Sequence, residues 1–454
     1  MSYNDLHTKI KNHKARICVI GLGQVGLPTA LIFSKQGYSV LGYDINKDLL
    51  NLLLQRKSPF EEAGLEKLIS NCIQSGKFEP NGNLKKCIEV SDIIIVCVAT
   101  PTTNEIKPNL SFLENVCKSL SELKLDSKLI IIESSIPPGS FKDFVLPIIT
   151  KKSKLGKQFW AAYVPERLSP GQALNEIQAT PRIIGSEDKD SGAIAKSLYQ
   201  NIVNSTIFIT NSKVAELSKL VENSYRDVNI AFANEISIIC EKYGIDFAEL
   251  VKVCNSHPRV NLLMAGPGVG GPCLPKDPYL LLNPIGSEKI ESRIILESRK
   301  INDHMPHHVS SLVKTALQSQ GKTLGKCTII VLGTAYKGNV SDTRFSPSEE
   351  IIKDLKQQNC EVLVYDPLSD ETFGGKKIDD FNIDTVKSSD AVVVVTDHDE
   401  FKNFDLKLFQ NMKKKPIVVD TKRIFDSKKV EELGINYISV GYNKGSNPID
   451  IERN

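Results

Sequence analysis

The two ends of the chain alternate short apolar runs with longer mixed segments. Near the N-terminus the apolar runs lie in KARICVI, YSVLGYD, DIIIVCVATP and KLIIIESS, and near the C-terminus they lie in KCTIIVLG, CEVLVYD, DAVVVVTD and PIVVD. Strand-sized runs separated by helix-sized stretches predict βαβ units and a parallel sheet. We therefore expect an α/β fold with two Rossmann-like doubly wound domains.

The middle of the chain has a different pattern. From Lys213 to Tyr243 there is no glycine or proline, apolar residues recur at helical spacing, and Gly244 follows as a stop signal. A continuous helix here is roughly 45 Å long at 1.5 Å per residue, which is enough to join two domains and to form a subunit interface. The predicted parts are a Rossmann domain, a central helical domain with a long linking helix, and a second α/β domain, at residues 1–210, 211–318 and 319–454.

Composition narrows the class of partner. A net charge of +3 without a basic stripe gives no reason to expect nucleic acid. The 10 cysteines are scattered without a CxxC pair, which favours buried thiols in a reducing compartment. The N-terminal segment has no apolar signal core, and the longest apolar runs are too short to span a bilayer. We expect a cytoplasmic protein that does not bind membranes, with a loose surface tail after about Lys444.

The sequence GLGQVG follows the first predicted strand and precedes a helix. Its glycines, Gly21, Gly23 and Gly26, allow a tight turn and a close approach of backbone to a pyrophosphate. Asp44 ends the next strand, where a carboxylate accepts hydrogen bonds from an adenosine ribose and repels a 2′-phosphate. NAD is thus favoured over NADP, although Lys47 leaves NADP open.

The second α/β part has VLGTAYKG in place of this fingerprint, so a second dinucleotide is not expected. A nucleotide diphosphate held by Lys337 and Arg344 fits better, since arginine binds phosphate through two parallel hydrogen bonds. From composition alone, it is an equally good interpretation that Lys337 and Arg344 are ordinary surface cations.

Candidate chemistry lies in a glycine- and proline-rich loop and on the long helix. Cys273 lies in GVGGPCLPKD, with Lys276 and Asp277 close behind it, whereas a lone cysteine elsewhere is normally buried filler. Lys219 and Asn223 share one face of the helix, where they either donate to an oxyanion or simply solvate the surface.

Two further clusters are less specific. Glu166, in YVPERLSPG, follows a strand-like segment and is suited either to act on water or to form a surface salt bridge with Arg167. The histidines of HMPHH lack cysteine or carboxylate neighbours at ligand spacing, so we expect no metal site.

A set of short sequence motifs, in a fixed order along the chain, resembles that of the UDP-sugar 6-dehydrogenases, the UDP-glucose/UDP-mannuronic acid dehydrogenase family. The resemblance covers nearly the whole chain and is carried by VIGLGQVGLP, VCVATPT, ESSIPPGS, YVPERLSPG, KLVENSYRDVNIAFANE, GPGVGGPCLPKDP and LGTAYKGNVSDTRFSP. PERLSPG, ENSYRDVNIAFANE, HPRVN and GPGVGGPC are similar to the subgroup that acts on UDP-N-acetyl-D-mannosamine. Pro170 stands where UDP-glucose enzymes usually carry a second glutamate.

The resemblance implies an NAD-dependent four-electron oxidation of a sugar C6 hydroxyl to a carboxylate through a cysteine thiohemiacetal and thioester. UDP-N-acetyl-D-mannosamine is the implied substrate, with UDP-glucose or UDP-N-acetylglucosamine as alternatives. It also implies a homodimer or higher homo-oligomer. The implied catalytic residues are Cys273, Lys219, Asn223, Asp277, Glu166 and Ser135. The implied cofactor contacts are the three glycines with Asp44, Thr100, Lys276 and Arg344, and the substrate contacts are Glu166, Arg167, Lys219, Asn223, Arg259 and Lys337.

Two other classes of function compete with this one. A two-electron β-hydroxyacid dehydrogenase shares a Rossmann domain and a long helix, but it lacks a nucleophilic cysteine and a second α/β domain. A nucleotide-sugar sensor would keep the fold without turnover. The number of NADH molecules released per sugar separates these classes.

Overall fold

The computed structural model describes residues 2–103, 107–286, 288–413 and 415–442, which fall into two compact units. One unit comprises residues 1–223 and 276–291, and the other comprises 224–275 and 292 onward. The predicted surface tail after Lys444 lies outside the described residues. The division into three domains at 211 and 319 stays a prediction.

The first unit is built on an eight-stranded sheet with the order β3-β2-β1-β4-β5-β6-β7-β8, parallel except between β6 and β7. Successive β1 residues face opposite sides: Ile17 and Val19 join one apolar core, and Cys18 and Ile20 join another. Cores on both faces explain why the central strands read as unbroken apolar runs. The strands are β1 Arg16–Ile20, β2 Ser39–Tyr43, β3 Phe78–Asn81, β4 Ile93–Val96, β5 Leu129–Ile132, β6 Trp160–Tyr163, β7 Arg182–Gly185 and β8 Ile207–Thr210.

Among the residues described before the central part of the chain, nine segments are α-helical. They are α1 Tyr3–Lys11, α2 Gly26–Lys35, α3 Lys47–Leu54, α4 Leu65–Gln74, α5 Leu84–Val90, α6 Ser111–Glu122, α7 Leu146–Ile149, α8 Ala173–Ala179 and α9 Lys189–Tyr199. A π-helical turn, Phe141–Val145, leads directly into α7.

The predicted long helix is confirmed as α10, Ser212–Tyr243, with 32 residues. It ends before Gly244, whose φ of 67° lies in the left-handed region that glycine adopts without strain. The boundary between the two units falls after Asn223, within α10. The next helices are α11 Phe247–Cys254, α12 Asp277–Leu282 and α13 Arg293–Ser319, and the glycine- and proline-rich loop lies between α11 and α12.

The second unit contains a six-stranded parallel sheet with the order β11-β10-β9-β12-β13-β14. This order repeats that of the first six strands of the other sheet, so the prediction of two Rossmann-like doubly wound parts is confirmed. The strands are β9 Thr328–Leu332, β10 Glu361–Tyr365, β11 Lys376–Lys377, β12 Ala391–Val394, β13 Ile417–Asp420 and β14 Asn436–Ile438. The helices are α14 Pro347–Gln357, α15 Ile383–Lys387, α16 Asp399–Lys402 and α17 Ser427–Glu432, with 3₁₀ turns at Leu324–Lys326 and Leu406–Asn411.

Within the described residues, no helix combines the length and the apolar character needed to cross a bilayer.

Candidate active site

The glycine turn between β1 and α2 leaves room for a ligand at one position. A Cβ on Gly21 would lie 2.9 Å from the Cys97 carbonyl oxygen, and one on Gly26 would lie 1.8 Å from the Gly21 oxygen. A Cβ on Gly23 would meet no atom of the described residues within 4 Å. Packing therefore explains Gly21 and Gly26, whereas the missing side chain at Gly23 lets a pyrophosphate reach the backbone before α2.

Asp44 lies at the end of β2, beside this turn. Its carboxylate accepts hydrogen bonds from the backbone N–H groups of Leu22, at 2.7 Å, and Asn46, at 2.9 Å. The side chain is half-buried, so lone pairs remain for the hydroxyls of a ribose. The turn and the carboxylate together fit NAD.

A chain of hydrogen bonds and one ion pair joins five of the predicted residues in the first unit. Asn223 Nδ2 donates to Asp277 Oδ2 at 2.7 Å, and Lys276 Nζ lies 3.7 Å from Asp277 Oδ1. Lys276 Nζ also donates to the Thr100 carbonyl oxygen at 3.0 Å. The Thr100 hydroxyl in turn donates to the Ser135 carbonyl oxygen at 2.5 Å. Asp277 is completely buried, so it holds the Asn223 amide in a fixed orientation.

Lys219 lies one helical turn before Asn223 and is almost fully buried. Within the described residues it forms no ion pair, so its ammonium group can serve a ligand. Burial and the charge of Glu133 raise the pKa of the Cys97 thiol well above its ordinary value, and the positive charge of Lys219 acts in the opposite direction. Cys97 is therefore held as a thiol and is a poor candidate for a nucleophile.

Glu166 does not pair with Arg167 as the surface salt-bridge interpretation has it. It is buried and forms an ion pair with Arg182, which is also buried, while only the backbone N–H of Arg167 donates to it, at 2.7 Å. The Arg167 guanidinium instead donates to Glu222 at 2.7 Å. The buried ion pair with Arg182 thus holds the Glu166 carboxylate inside the first unit, whereas a surface carboxylate would not be held in this way.

The sequence does not predict the buried side chains around Glu166, which are those of Glu133, Arg182 and Tyr199. Glu133 accepts hydrogen bonds from the Tyr199 hydroxyl at 2.5 Å and from the Cys97 thiol at 3.2 Å. Burial and the charge of Glu166 raise the pKa of Glu133, although Arg182 acts in the opposite direction. Glu133 opens the word ESSIPPGS directly after a strand, a position that marks it as a candidate, but no pattern links Arg182 and Tyr199 to it.

A second missed carboxylate, Glu216, ties α10 to the segment after Ser135. It is completely buried and accepts the backbone N–H groups of Gly139 and Phe141, both at 2.6 Å. Burial raises its pKa from 4.5 to about 7, partly offset by these two hydrogen bonds. Its contact holds the loop that carries Ser135 against the helix that carries Lys219.

The raised pKa of Glu216 predicts a loss of stability with rising pH. Between the unfolded value of 4.5 and the folded value of about 7, the folded chain binds more protons than the unfolded chain, so unfolding becomes easier as pH increases. The loss is about 3 kcal/mol once both forms are ionised. Because Glu216→Gln cannot titrate, its unfolding free energy should fall by about 3 kcal/mol less than that of the wild type between about pH 5 and about pH 8.

Urea unfolding followed by the fluorescence of Trp160, the single tryptophan, measures this difference within the first unit. Glu235→Gln, at an exposed glutamate of α10, is the control for loss of a charge. Parallel pH profiles for the wild type and Glu216→Gln would contradict the prediction.

Cys273 lies in the second unit and is half-buried, unlike seven of the other nine cysteines, which are buried. The loop around it packs on the segment after β9: Gly271 N donates to the Arg344 carbonyl oxygen at 2.9 Å. Burial raises the pKa of Tyr336, and Asp342 and Cys273 raise it further.

The predicted cofactor and substrate contacts of the second unit are cations at its surface. The Arg344 guanidinium donates to both carboxylate oxygens of Asp342, at 2.8 and 2.5 Å, and this pairing raises the pKa of Arg344. Its side chain is still 52% exposed. Lys337 is half-buried and Arg259 is exposed. Each of these cations can therefore be reached by an acidic ligand.

The second sheet places Asp366 at the end of β10, where the first sheet has Asp44. Asp366 accepts hydrogen bonds from Thr334 N at 2.7 Å, Ala335 N at 3.1 Å and Leu368 N at 2.9 Å, and its carboxylate lies 3.2 Å from His398 Nε2. Although burial acts to raise it, these contacts lower the pKa of Asp366 to about 2. Unlike the carboxylate of Asp44, the carboxylate of Asp366 already uses its lone pairs for contacts within the protein.

The histidines of HMPHH serve separate contacts. His307 Nδ1 lies 2.6 Å from Asp354, and His308 Nε2 lies 3.0 Å from Glu241. In the part of the chain that the structure describes, no three histidine, cysteine or carboxylate side chains form a group that could hold a metal ion.

Three family models match consecutive parts of the chain. They describe the NAD binding domain, the central domain and the UDP binding domain of the UDP-glucose/GDP-mannose dehydrogenase family, at residues 15–203, 213–304 and 330–427. The glycine turn lies in the first match, α10 and Cys273 in the second, and Lys337 and Arg344 in the third.

Individual proteins are similar over nearly the whole length. The UDP-N-acetyl-D-mannosamine dehydrogenase of Methanocaldococcus jannaschii is 37% identical over 438 residues, which are 95% of this chain and 97% of that protein. A solved structure of UDP-D-ManNAc dehydrogenase from Pyrococcus horikoshii matches with a TM-score of 0.86 and 34% identity, covering 94% of this chain and 100% of that one. The NDP-N-acetyl-D-galactosaminuronic acid dehydrogenase of Ralstonia solanacearum is 31% identical over 427 residues, which are 91% of this chain and 97% of that protein.

Proposed function

Because this chain belongs to the UDP-glucose/GDP-mannose dehydrogenase family, we propose that it oxidises the C6 hydroxyl of UDP-N-acetyl-D-mannosamine, giving UDP-N-acetyl-D-mannosaminuronate. The matched NAD binding domain makes it an NAD-dependent dehydrogenase. The observation that carries the choice of sugar is the 37% identity with the M. jannaschii enzyme over 95% of the chain. UDP-glucose and UDP-N-acetylglucosamine are the alternatives.

Cys273 supports a four-electron reaction. Two NAD molecules, held in turn at the glycine turn beside Asp44, would supply one hydride acceptor for each of two oxidations, each of which also releases a proton. The Cys273 thiolate adds to the aldehyde made by the first oxidation and forms a thiohemiacetal, which the second converts to a thioester. Water then cleaves the carbon–sulfur bond, releasing the carboxylate and regenerating the cysteine.

Lys219 and Asn223 are suited to stabilise the oxyanions of this path. The Asn223 amide has two hydrogens, and Asp277 accepts one of them at 2.7 Å, so the other is free to donate in a fixed direction. The buried ammonium group of Lys219, on the same face of α10, adds a positive charge. Donors fixed before the reaction stabilise developing charge without reorganising.

Glu166 and Ser135 are our candidates for handling the water. The Glu166 carboxylate is fixed by Arg182, and the Ser135 backbone is fixed by the Thr100 hydroxyl. A positioned carboxylate takes a proton from the attacking water, and a hydroxyl holds that water by a hydrogen bond. We assign Arg167, Arg259, Lys337 and Arg344 to the acidic diphosphate end of the substrate.

Release of NADH with a panel of UDP-sugars tests the proposal. We expect UDP-N-acetyl-D-mannosamine to be preferred over UDP-N-acetylglucosamine and UDP-glucose, with two NADH formed per sugar. Preference for UDP-glucose would refute the choice of sugar and leave the mechanism intact. One NADH per sugar would indicate a two-electron enzyme, and binding without turnover would indicate a sensor.

We also propose that the protein is cytoplasmic. We further propose that it forms a homodimer through α10. Tyr225, Phe232 and Ile239 are 67%, 55% and 41% exposed and recur every seven residues, so they form one apolar stripe. A stripe of this kind is suited to pack against a second copy. We expect Phe232→Asp to lower the mass measured by sedimentation to that of a single chain, and an unchanged mass would refute this interface.

A further inference from the structure

Asn234 lies on α10 and uses both ends of its side-chain amide. Its Oδ1 accepts a hydrogen bond from Gly266 N at 3.0 Å, and its Nδ2 donates to Asn302 Oδ1 on α13 at 2.9 Å. The side chain is completely buried. An amide held at both ends in a buried site has one favourable orientation, so it fixes the backbone to which it bonds.

Asn234 is braced by a buried polar array on the same side of α10. Asp227, two helical turns earlier, accepts Asn302 Nδ2 at 2.9 Å and Arg299 Nη1 at 2.6 Å. All of these side chains are at most 2% exposed. Their mutual bonds hold α10 and α13 together, and Asn234 is the member that reaches from this array to the loop.

The loop that begins at Gly266 contains Cys273 seven residues later. Gly268 has a φ of 129°, and a Cβ there would lie 3.1 Å from the Asn302 carbonyl oxygen, so the loop runs tightly against α13. A Cβ on Gly271 would lie 2.7 Å from the Tyr336 ring. The loop is thus held at its start by Asn234 and just before the cysteine by the segment after β9.

We propose that Asn234 is a positioning residue for Cys273, which it serves by fixing the start of the loop at Gly266. The inference rests on the proposed function, in which Cys273 is the nucleophile. A displacement of about 1 Å at a reacting group can lower turnover by about 10²-fold. Loss of the Asn234 hydrogen bond therefore acts on the chemical step and not on cofactor binding.

Asn234→Ala tests this by two readouts. We expect kcat to fall by roughly 10- to 100-fold with the KM for NAD unchanged. We also expect alkylation of Cys273 by iodoacetamide, followed on its own peptide by mass spectrometry, to differ from the wild type in rate and in midpoint pH. Arg299→Lys is the matched control, because it removes the Nη1 hydrogen bond to Asp227 in the buried array but keeps both hydrogen bonds of Asn234.

Asn234→Asp keeps the inference testable should the alanine variant fail to fold. Its carboxyl can make both hydrogen bonds only when protonated, so Cys273 alkylation should match the wild type at acid pH and diverge as pH rises. A constant ratio to the wild type across pH would overturn the inference. So would equal effects of Asn234→Ala and Arg299→Lys, or wild-type values for a folded Asn234→Ala.

Alkylation requires no sugar and no NAD, so the two hypotheses fail separately. If Asn234→Ala changes the alkylation of Cys273 but the wild type oxidises no UDP-sugar, the positioning role stands and the proposed function is wrong. If the wild type releases two NADH per sugar and the alkylation profile is unaltered, only the positioning role is wrong.

Discussion

Cys273→Ala is expected to abolish formation of the sugar acid while the chain stays folded. Without the sulfur, the aldehyde is not captured, and no thioester can form for water to cleave. Removal of a nucleophile lowers turnover by on the order of 10⁴- to 10⁶-fold. Product analysis by mass spectrometry and NADH release measure the loss. Cys254→Ala, at another half-buried cysteine of the same unit, is the control and should behave as the wild type.

Cys273→Ser refines this expectation. A hydroxyl can add to the aldehyde, but the ester that follows is hydrolysed less readily than a thioester. The intact protein should therefore carry one sugar adduct per chain. Acid formation by Cys273→Ala at the wild-type rate would show that another group does the chemistry.

Gly23→Ala is expected to weaken NAD binding by on the order of 10²-fold, which is about 3 kcal/mol. The added methyl group touches no atom of the described residues within 4 Å, so it should leave the fold intact. It occupies the space through which the pyrophosphate approaches the backbone. Calorimetric titration with NAD measures the affinity, and thermal unfolding measures the stability.

Gly26→Ala is the matched comparison, because its Cβ would lie 1.8 Å from the Gly21 oxygen and would disturb the turn itself. We expect Gly26→Ala to lower the melting temperature and Gly23→Ala to leave it unchanged. Unaltered NAD affinity in a folded Gly23→Ala would mean that the pyrophosphate binds elsewhere.

Most of the architecture follows from local patterns. The eight apolar runs that predict strands all form strands, and the uninterrupted stretch before Gly244 forms α10. Strands such as β7 and β14 were not predicted. They are short, and β14 follows Gly434 in a segment whose neighbours are mostly polar. Pairing with adjacent strands, and not local preference, stabilises such short strands.

Only part of the candidate site can be predicted from the sequence. Residues within one word, such as Asp277 and Lys276, could be predicted, and their contacts with Asn223 and Thr100 fit that prediction. Arg182 could not, because its ion pair with Glu166 joins β7 to the loop that follows β6. A buried ion pair between distant words leaves no spacing pattern, so only the folded chain reveals it.

Asp366 carries a lesson for protein engineering. The two sheets share one strand order, so copying GLGQVG into the turn after β9 looks like a short route to a second NAD pocket. The graft should fail, since the acceptor that a ribose would need is saturated by Thr334, Ala335, Leu368 and His398. A designer would first have to strip those donors from the carboxylate, and the turn they stabilise would loosen with them.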